Sequence, residues 1–225
     1  MLERMWELLK GRQGLISAAW NDCLTMLVTD REMLLIVTEA MKQETDIKVR
    51  EKVAAMDKQI NAQQQEVRKK VFEHLVLSQG KDMLQGLQML MIVIDLERIG
   101  DYGKNIAEVV DMVPSRLNFH QYEGRYNEVV AGTLEMFDLT LIALRDGNEA
   151  KAQEATQRYR SISQTCDGTL EEIVSAGGVP GDCIEQWKLG LVLILRYLKR
   201  VSAHLKNVCS SMVNPFHRIG YRPDL

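Results

Sequence analysis

The sequence predicts an all-α protein built as two tandem three-helix bundles, six long antiparallel helices in all. Three observations carry this. The first 113 of the 225 residues contain no proline. Segments of roughly 30 residues between turn signals are rich in Leu, Met, Ala, Glu, Gln, Lys and Arg, whose unbranched side chains lose little rotamer freedom in a helix. Shifting the chain by 102 residues places Leu87 on Leu189, Ile92 on Ile194, Leu96 on Leu198, Arg98 on Arg200, Lys104 on Lys206 and Asn105 on Asn207. Two apolar helices share leucines by chance, but the matching Arg, Lys and Asn point to an internal duplication.

Turn signals divide the chain into helices over 15–43, 47–78, 82–112, 119–145, 148–175 and 182–213, with a short helix at 2–10 before them. The first repeat then spans 1–113, the second 119–213, and 214–225 form an irregular tail. Asp46 and Asp82 are placed to cap the free amides that begin the second and third helices. Gly147 and Gly177 stand where a helix C-terminus favours a left-handed residue. Short turns between long helices force antiparallel neighbours. In the third helix Met83, Leu84, Leu87, Leu90, Met91 and Ile94 surround much of the axis, which predicts the most buried helix of its group. Met83, Met89 and Met91 are expected as flexible core packing. Trp6, Trp20 and Trp187 are expected as apolar anchors.

Composition excludes several classes. With 28 Lys+Arg against 31 Asp+Glu the net charge is −3, which offers no general attraction for nucleic acid or anionic membrane. A hydrophobic share of 46 % is too high for a disordered chain. No apolar run approaches the ~20 residues of a membrane span, so no direct membrane insertion is expected. The N-terminus lacks the apolar core and cleavage site of a signal peptide. Cys23, Cys166, Cys183 and Cys209 show no ligand spacing, which suits small core residues in a reduced, cytoplasmic protein. His74, His120, His204 and His217 form no ligand spacing, and no P-loop, nucleophile elbow or dinucleotide fingerprint is present. No enzymatic role is expected.

The third helix carries the most informative segment. Glu97, Asp101, Asn105 and Glu108 recur at i, i+4, i+8 and i+11, within an arc of roughly 80° at ~100° per residue. Acids four apart repel by a few tenths of a kcal/mol, so a bound cation, neighbouring cations or exposure to water must offset the cost. Arg68, Arg98 and Lys104 are available. On the second helix Asp57 and Asn61 are also four apart, with Gln64 and Arg68 following on the same face. Antiparallel packing through the turn at 78–82 brings the two stripes together, since Asn61 lies 19 residues before Gly80 and Glu97 lies 17 after it. Facing oxygen-bearing pairs resemble carboxylate metal sites of helical bundles. Lacking His and Cys, such a set suits Mg, Mn, Ca or iron. Gly100 and Gly103 flank Asp101, where they allow close helix contact or access to the carboxylates.

Residues Asp95 to Glu108 read D-L-E-R-I-G-D-Y-G-K-N-I-A-E. This closely resembles the signature of the PhoU proteins, D-L-E-R-I-G-D-x-x-x-N-I-A-E. Asp57 to Asn61, D-K-Q-I-N, resembles the D-x-x-I-N element of that family's second helix. The resemblance covers essentially the whole chain, because the family consists of two three-helix repeats. It implies a cytoplasmic, homodimeric regulator that represses phosphate-starvation signalling through the phosphate ABC transporter ATPase and its sensor histidine kinase. It also implies divalent or iron-type metal ions at Glu97 and Asp101, with Asp57 and Asn61 opposite and Asn105 and Glu108 extending the stripe. A regulator of another phosphate carrier, or a metal-binding helical protein, is the alternative.

The second repeat departs from the pattern. Arg196 to Ser210 read R-Y-L-K-R-V-S-A-H-L-K-N-V-C-S, with Lys199, Ala203 and Ser210 where the family usually has acids. The fifth helix supplies Ser163 and Asp167 where an acidic pair is expected. One carboxylate of four remains, so no metal cluster is expected at this degenerate site of Asp167, Lys199 and His204. Either Lys199 replaces the missing cation by pairing with Asp167, or the face is simply solvated.

Overall fold

The structure is a computed structural model that describes residues 14–41, 47–112, 118–175 and 185–221. The expected helix at 2–10, Trp6, Cys183, and the caps at Asp46 and Gly177 lie outside the described residues. Six α-helices follow in chain order. They are α1 (Leu15–Ala40), α2 (Ile47–Leu77), α3 (Met83–Met112), α4 (Glu123–Asp146), α5 (Glu149–Ser175) and α6 (Gln186–Val213). Single 3₁₀ turns occur at His120–Tyr122 and Phe216–Arg218.

The helix ends follow from local chemistry. α4 stops at Gly147, whose left-handed φ of 66° lets its N–H reach the Ala143 carbonyl. The turn into α3 passes through Gln79 and Gly80 at φ 54° and 76°, with the Gly80 N–H bonded to the Leu75 carbonyl. Asp82 does more than mark this turn: its carboxylate lies 2.8 Å from His74 Nε2 and ties the end of α2 to the start of α3.

α1, α2 and α3 pack on one another, as do α4, α5 and α6. The halves join mainly through α3 against α6, with α1 touching α4. One continuous core runs through both, including Trp20, Leu27, Met33, Ile60, Leu96, Phe137, Ile194 and Leu198. Each fully buried Leu or Ile contributes about 1.5–3 kcal/mol from removed apolar surface. α4 is also held to α6 by buried polar pairs, Thr133 Oγ1 to Ser202 Oγ at 3.0 Å and Thr140 Oγ1 to Cys209 Sγ at 3.2 Å.

Three expectations are corrected. α3 is not buried all round: Met83, Leu87, Met91 and Ile94 form an exposed stripe at i, i+4, i+8 and i+11. α3 already meets α1, α2 and α6 on its other sides, and this stripe is the face that the described residues leave uncovered. Met89 is in the core, but Met83 and Met91 are not. Leu189, the repeat-mate of Leu87, is likewise exposed. The tail is also more ordered than its sequence suggests. Gly220 N–H donates to Ser210 Oγ at 2.6 Å, Lys206 Nζ donates to the Gly220 carbonyl at 2.7 Å, and Asn214 Nδ2 donates to the carbonyls of Arg218 and Tyr221. These bonds fold 214–221 back onto α6.

Candidate functional site

The two expected stripes meet. α2 carries Asp57 and, one turn on, Ile60 and Asn61; α3 carries Glu97, Gly100, Asp101 and Lys104. The glycines serve close contact. A Cβ on Gly100 would lie 3.0 Å from Ile60 Cδ1 and 3.1 Å from Asp30 Oδ1, and one on Gly103 only 2.5 Å from Met33 Sδ. Gly therefore lets α3 settle against α1 and α2, which places Asp57 beside the α3 stripe.

Cations already occupy these carboxylates. Lys104 Nζ lies 3.2 Å from Asp57 Oδ2 and 3.7 Å from Asp101 Oδ1, spanning α2 and α3. Arg98 Nη1 lies 3.0 Å from Asp101 Oδ2, and its Nε lies 3.7 Å from Glu97 Oε2. Burial pulls the Lys104 ammonium down, but the Asp57 hydrogen bond and the charges of Asp57, Asp101 and Glu108 outweigh it and hold its pKa above the ordinary lysine value. Asn61 and Asn105 are half-buried nearby, and Glu108 is exposed. Among the described residues no three His, Cys, Asp or Glu side chains stand together so as to hold a metal ion. One oxygen of Asp57, one of Glu97 and both of Asp101 face Lys104 or Arg98, so an ion would have to displace these cations, and the arrangement as it stands does not fit it.

Sequence reasoning missed Asp30. It lies on α1 among Met26, Leu27, Met33, Leu34 and Val37, with 2 % of its surface exposed and neither carboxylate oxygen hydrogen-bonded. Burial, then the charges of Glu97 and Asp57, push its pKa well above the usual carboxylate value, which favours the neutral acid. The signal was present, since an acid at i, i+3, i+4, i+7 spacing with core residues must face inward.

In the second repeat Lys199 Nζ lies 2.6 Å from both oxygens of Asp167, and Ser163 Oγ lies 3.4 Å from Asp167 Oδ2. Of the two readings left open for Lys199, the pair with Asp167 is the one made. His204 turns away from it, toward α3. Its Nδ1 lies 2.6 Å from Asp95 Oδ1, its ring stacks on Tyr102, and Asn207 Nδ2 donates to the same Asp95 oxygen at 3.1 Å. The first residue of the α3 signature thus ties the two repeats together.

Fold and site define a class: a protein of two packed helical bundles whose polar stripes carry internal ion pairs and which exposes apolar helix faces. Comparison with known proteins narrows it. Residues 24–110 match the PhoU domain. The chain is 24 % identical over 207 residues to the "Phosphate-specific transport system accessory protein PhoU homolog 1" of Thermotoga maritima, covering 84 % of this chain and 85 % of that one. It is 24 % identical over 195 residues to the corresponding PhoU homolog of Deinococcus radiodurans, covering 86 % and 90 %. The fold matches the phosphate transport system regulatory protein PhoU of Streptococcus pneumoniae with a TM-score of 0.76 at 20 % identity, over 88 % of this chain and 93 % of that one. It matches PhoU of Pseudomonas aeruginosa with a TM-score of 0.78 at 18 % identity, over 88 % and 95 %. Residues 24–110 thus carry a PhoU domain, and the chain is similar over most of its length to PhoU homologues.

Proposed function

We propose that the protein is a non-enzymatic, cytoplasmic regulator of phosphate uptake, acting as an adaptor that represses phosphate-starvation signalling through a phosphate ABC transporter and its sensor kinase. One observation carries this reading: similarity spans nearly the full length of proteins whose names make them accessories of phosphate-specific transport. Two features of the chain support it. No helix among the described residues is long and apolar enough to cross a membrane, so contact with a transporter would be peripheral. Phe72, Val76 and Leu77 at the end of α2, with Met83, Leu87 and Met91 on α3, are exposed large apolar side chains of the kind a partner covers. A regulator of this kind works by unequal affinity for the alternative states of its partners, because binding shifts an equilibrium only through that difference. A homodimer is part of the reading, and sedimentation of the purified chain tests that element.

The test is genetic and biochemical together. Deleting the gene should leave a phosphate-starvation reporter switched on in phosphate-rich medium. The tagged protein should recover transporter ATPase or sensor kinase from phosphate-replete cells. A reporter that stays repressed, with neither partner recovered, would refute the proposal. Recovery of a different phosphate carrier would favour the second reading, a regulator of that carrier.

A further inference from the structure

We infer that tethered side-chain cations, Lys104 in the first repeat and Lys199 in the second, take the place of a metal ion between neighbouring helices, so that this protein folds metal-free at both sites. The inference concerns the chain's own electrostatics and stands whichever transporter the protein serves.

A divalent ion in a carboxylate site cancels like charge and ties one helix to the next. Lys104 does both: it starts on α3, reaches Asp57 on α2 at 3.2 Å, and stays 3.7 Å from Asp101. Arg98 pairs with the two α3 acids, lying 3.0 Å from Asp101 and 3.7 Å from Glu97. An incoming ion would have to displace the ammonium from Asp57 while its own charge repelled that ammonium at close range. In the second repeat the cation enters from a different position. Lys199 stands where the resemblance aligns a Glu, and it holds both oxygens of Asp167 at 2.6 Å. Two unrelated positions thus meet the same need. Lys199 has 19 % of its side-chain surface exposed and Lys104 35 %, so neither is a freely solvated surface lysine.

The test is thermal denaturation of the full chain, stripped with chelator, with and without millimolar MnCl₂. The wild-type midpoint should move by less than about 1 °C, whereas an ion bound at a hundred times its Kd would raise it by roughly 5–10 °C. Lys104→Gln frees Asp57 and one oxygen of Asp101, Arg98 keeping the other, and should create a site. Without manganese it should melt about 2–4 °C below wild type, and manganese should restore at least that much. Lys104→Arg should behave as wild type. A wild-type midpoint that rises with manganese, and loses the rise in Asp57→Asn, would overturn the inference. So would a folded Lys104→Gln that gains nothing from manganese. Should Lys104→Gln fail to fold, the wild-type response alone decides the matter.

Discussion

Asp95→Ala tests the contact that joins the two repeats. Asp95 Oδ1 receives Asn207 Nδ2 at 3.1 Å and faces His204 Nδ1 at 2.6 Å. Both ionisable side chains are largely shielded, at 14 % and 19 % exposure, so water cannot fully replace the lost acceptor. Leaving a buried donor unsatisfied costs about 1–3 kcal/mol, and two partly shielded donors near the lower end give about 2–3 kcal/mol together. For a chain of this size that lowers the melting midpoint by roughly 5–10 °C. Urea denaturation followed by far-ultraviolet circular dichroism measures it, with an unchanged m-value as the sign that only stability moved. Asp95→Asn keeps an acceptor and should cost less than half as much. The cycle of Asp95→Ala with His204→Ala should show a coupling above about 0.5 kcal/mol. A loss below about 0.5 kcal/mol in Asp95→Ala, with no coupling, would show that apolar packing of α3 on α6 holds the repeats together unaided.

Other substitutions probe the remaining contacts. Gly103→Ala brings a Cβ to 2.5 Å from Met33 Sδ, inside a fully buried side chain. Overpacking should cost about 1–3 kcal/mol, more than the ~1 kcal/mol gained in helix propensity. Adding Met33→Ala should relieve the clash, and urea melts of the single and double variants compare the two. Lys199→Glu replaces a partly exposed ion pair with repulsion against Asp167 and should lower stability by about 1 kcal/mol; an unchanged melting midpoint would argue against the internal pair. Cys23, Cys166 and Cys209 have no exposed surface, and burial pushes the Cys166 and Cys209 thiols up to about 12. All three should resist alkylation at pH 8 until the chain is denatured, as peptide mass spectrometry would show site by site.

Much of this protein is local chemistry, and local chemistry is legible in the chain. Proline-free stretches of good helix formers specify the helices, because propensity and capping act within a few residues. Gly147 ends α4 for the reason its sequence suggests. The correspondence of α3 with α6 was legible because matching Arg, Lys and Asn recur on both. The approach of Asp57 to the Glu97–Asp101 stripe also followed from counting through one short turn, since antiparallel packing leaves little freedom. What the chain could not show is which side of each helix would be left open and which charge would meet which. Leu87, Ile94 and Leu189 look like core residues in a helical pattern, yet α3 and α6 each present a side that no neighbour among the described residues covers. Lys104, Arg98 and Lys199 had several acids within reach, and helix spacing alone does not rank partners separated by 47 or 32 residues. His204 belonged by position to the second-repeat site but turned to Asp95, 109 residues away, because the packing of α3 on α6 sets the two side by side. Side-chain pairing depends on distances of a few ångströms between elements, and only the packed bundles set those distances.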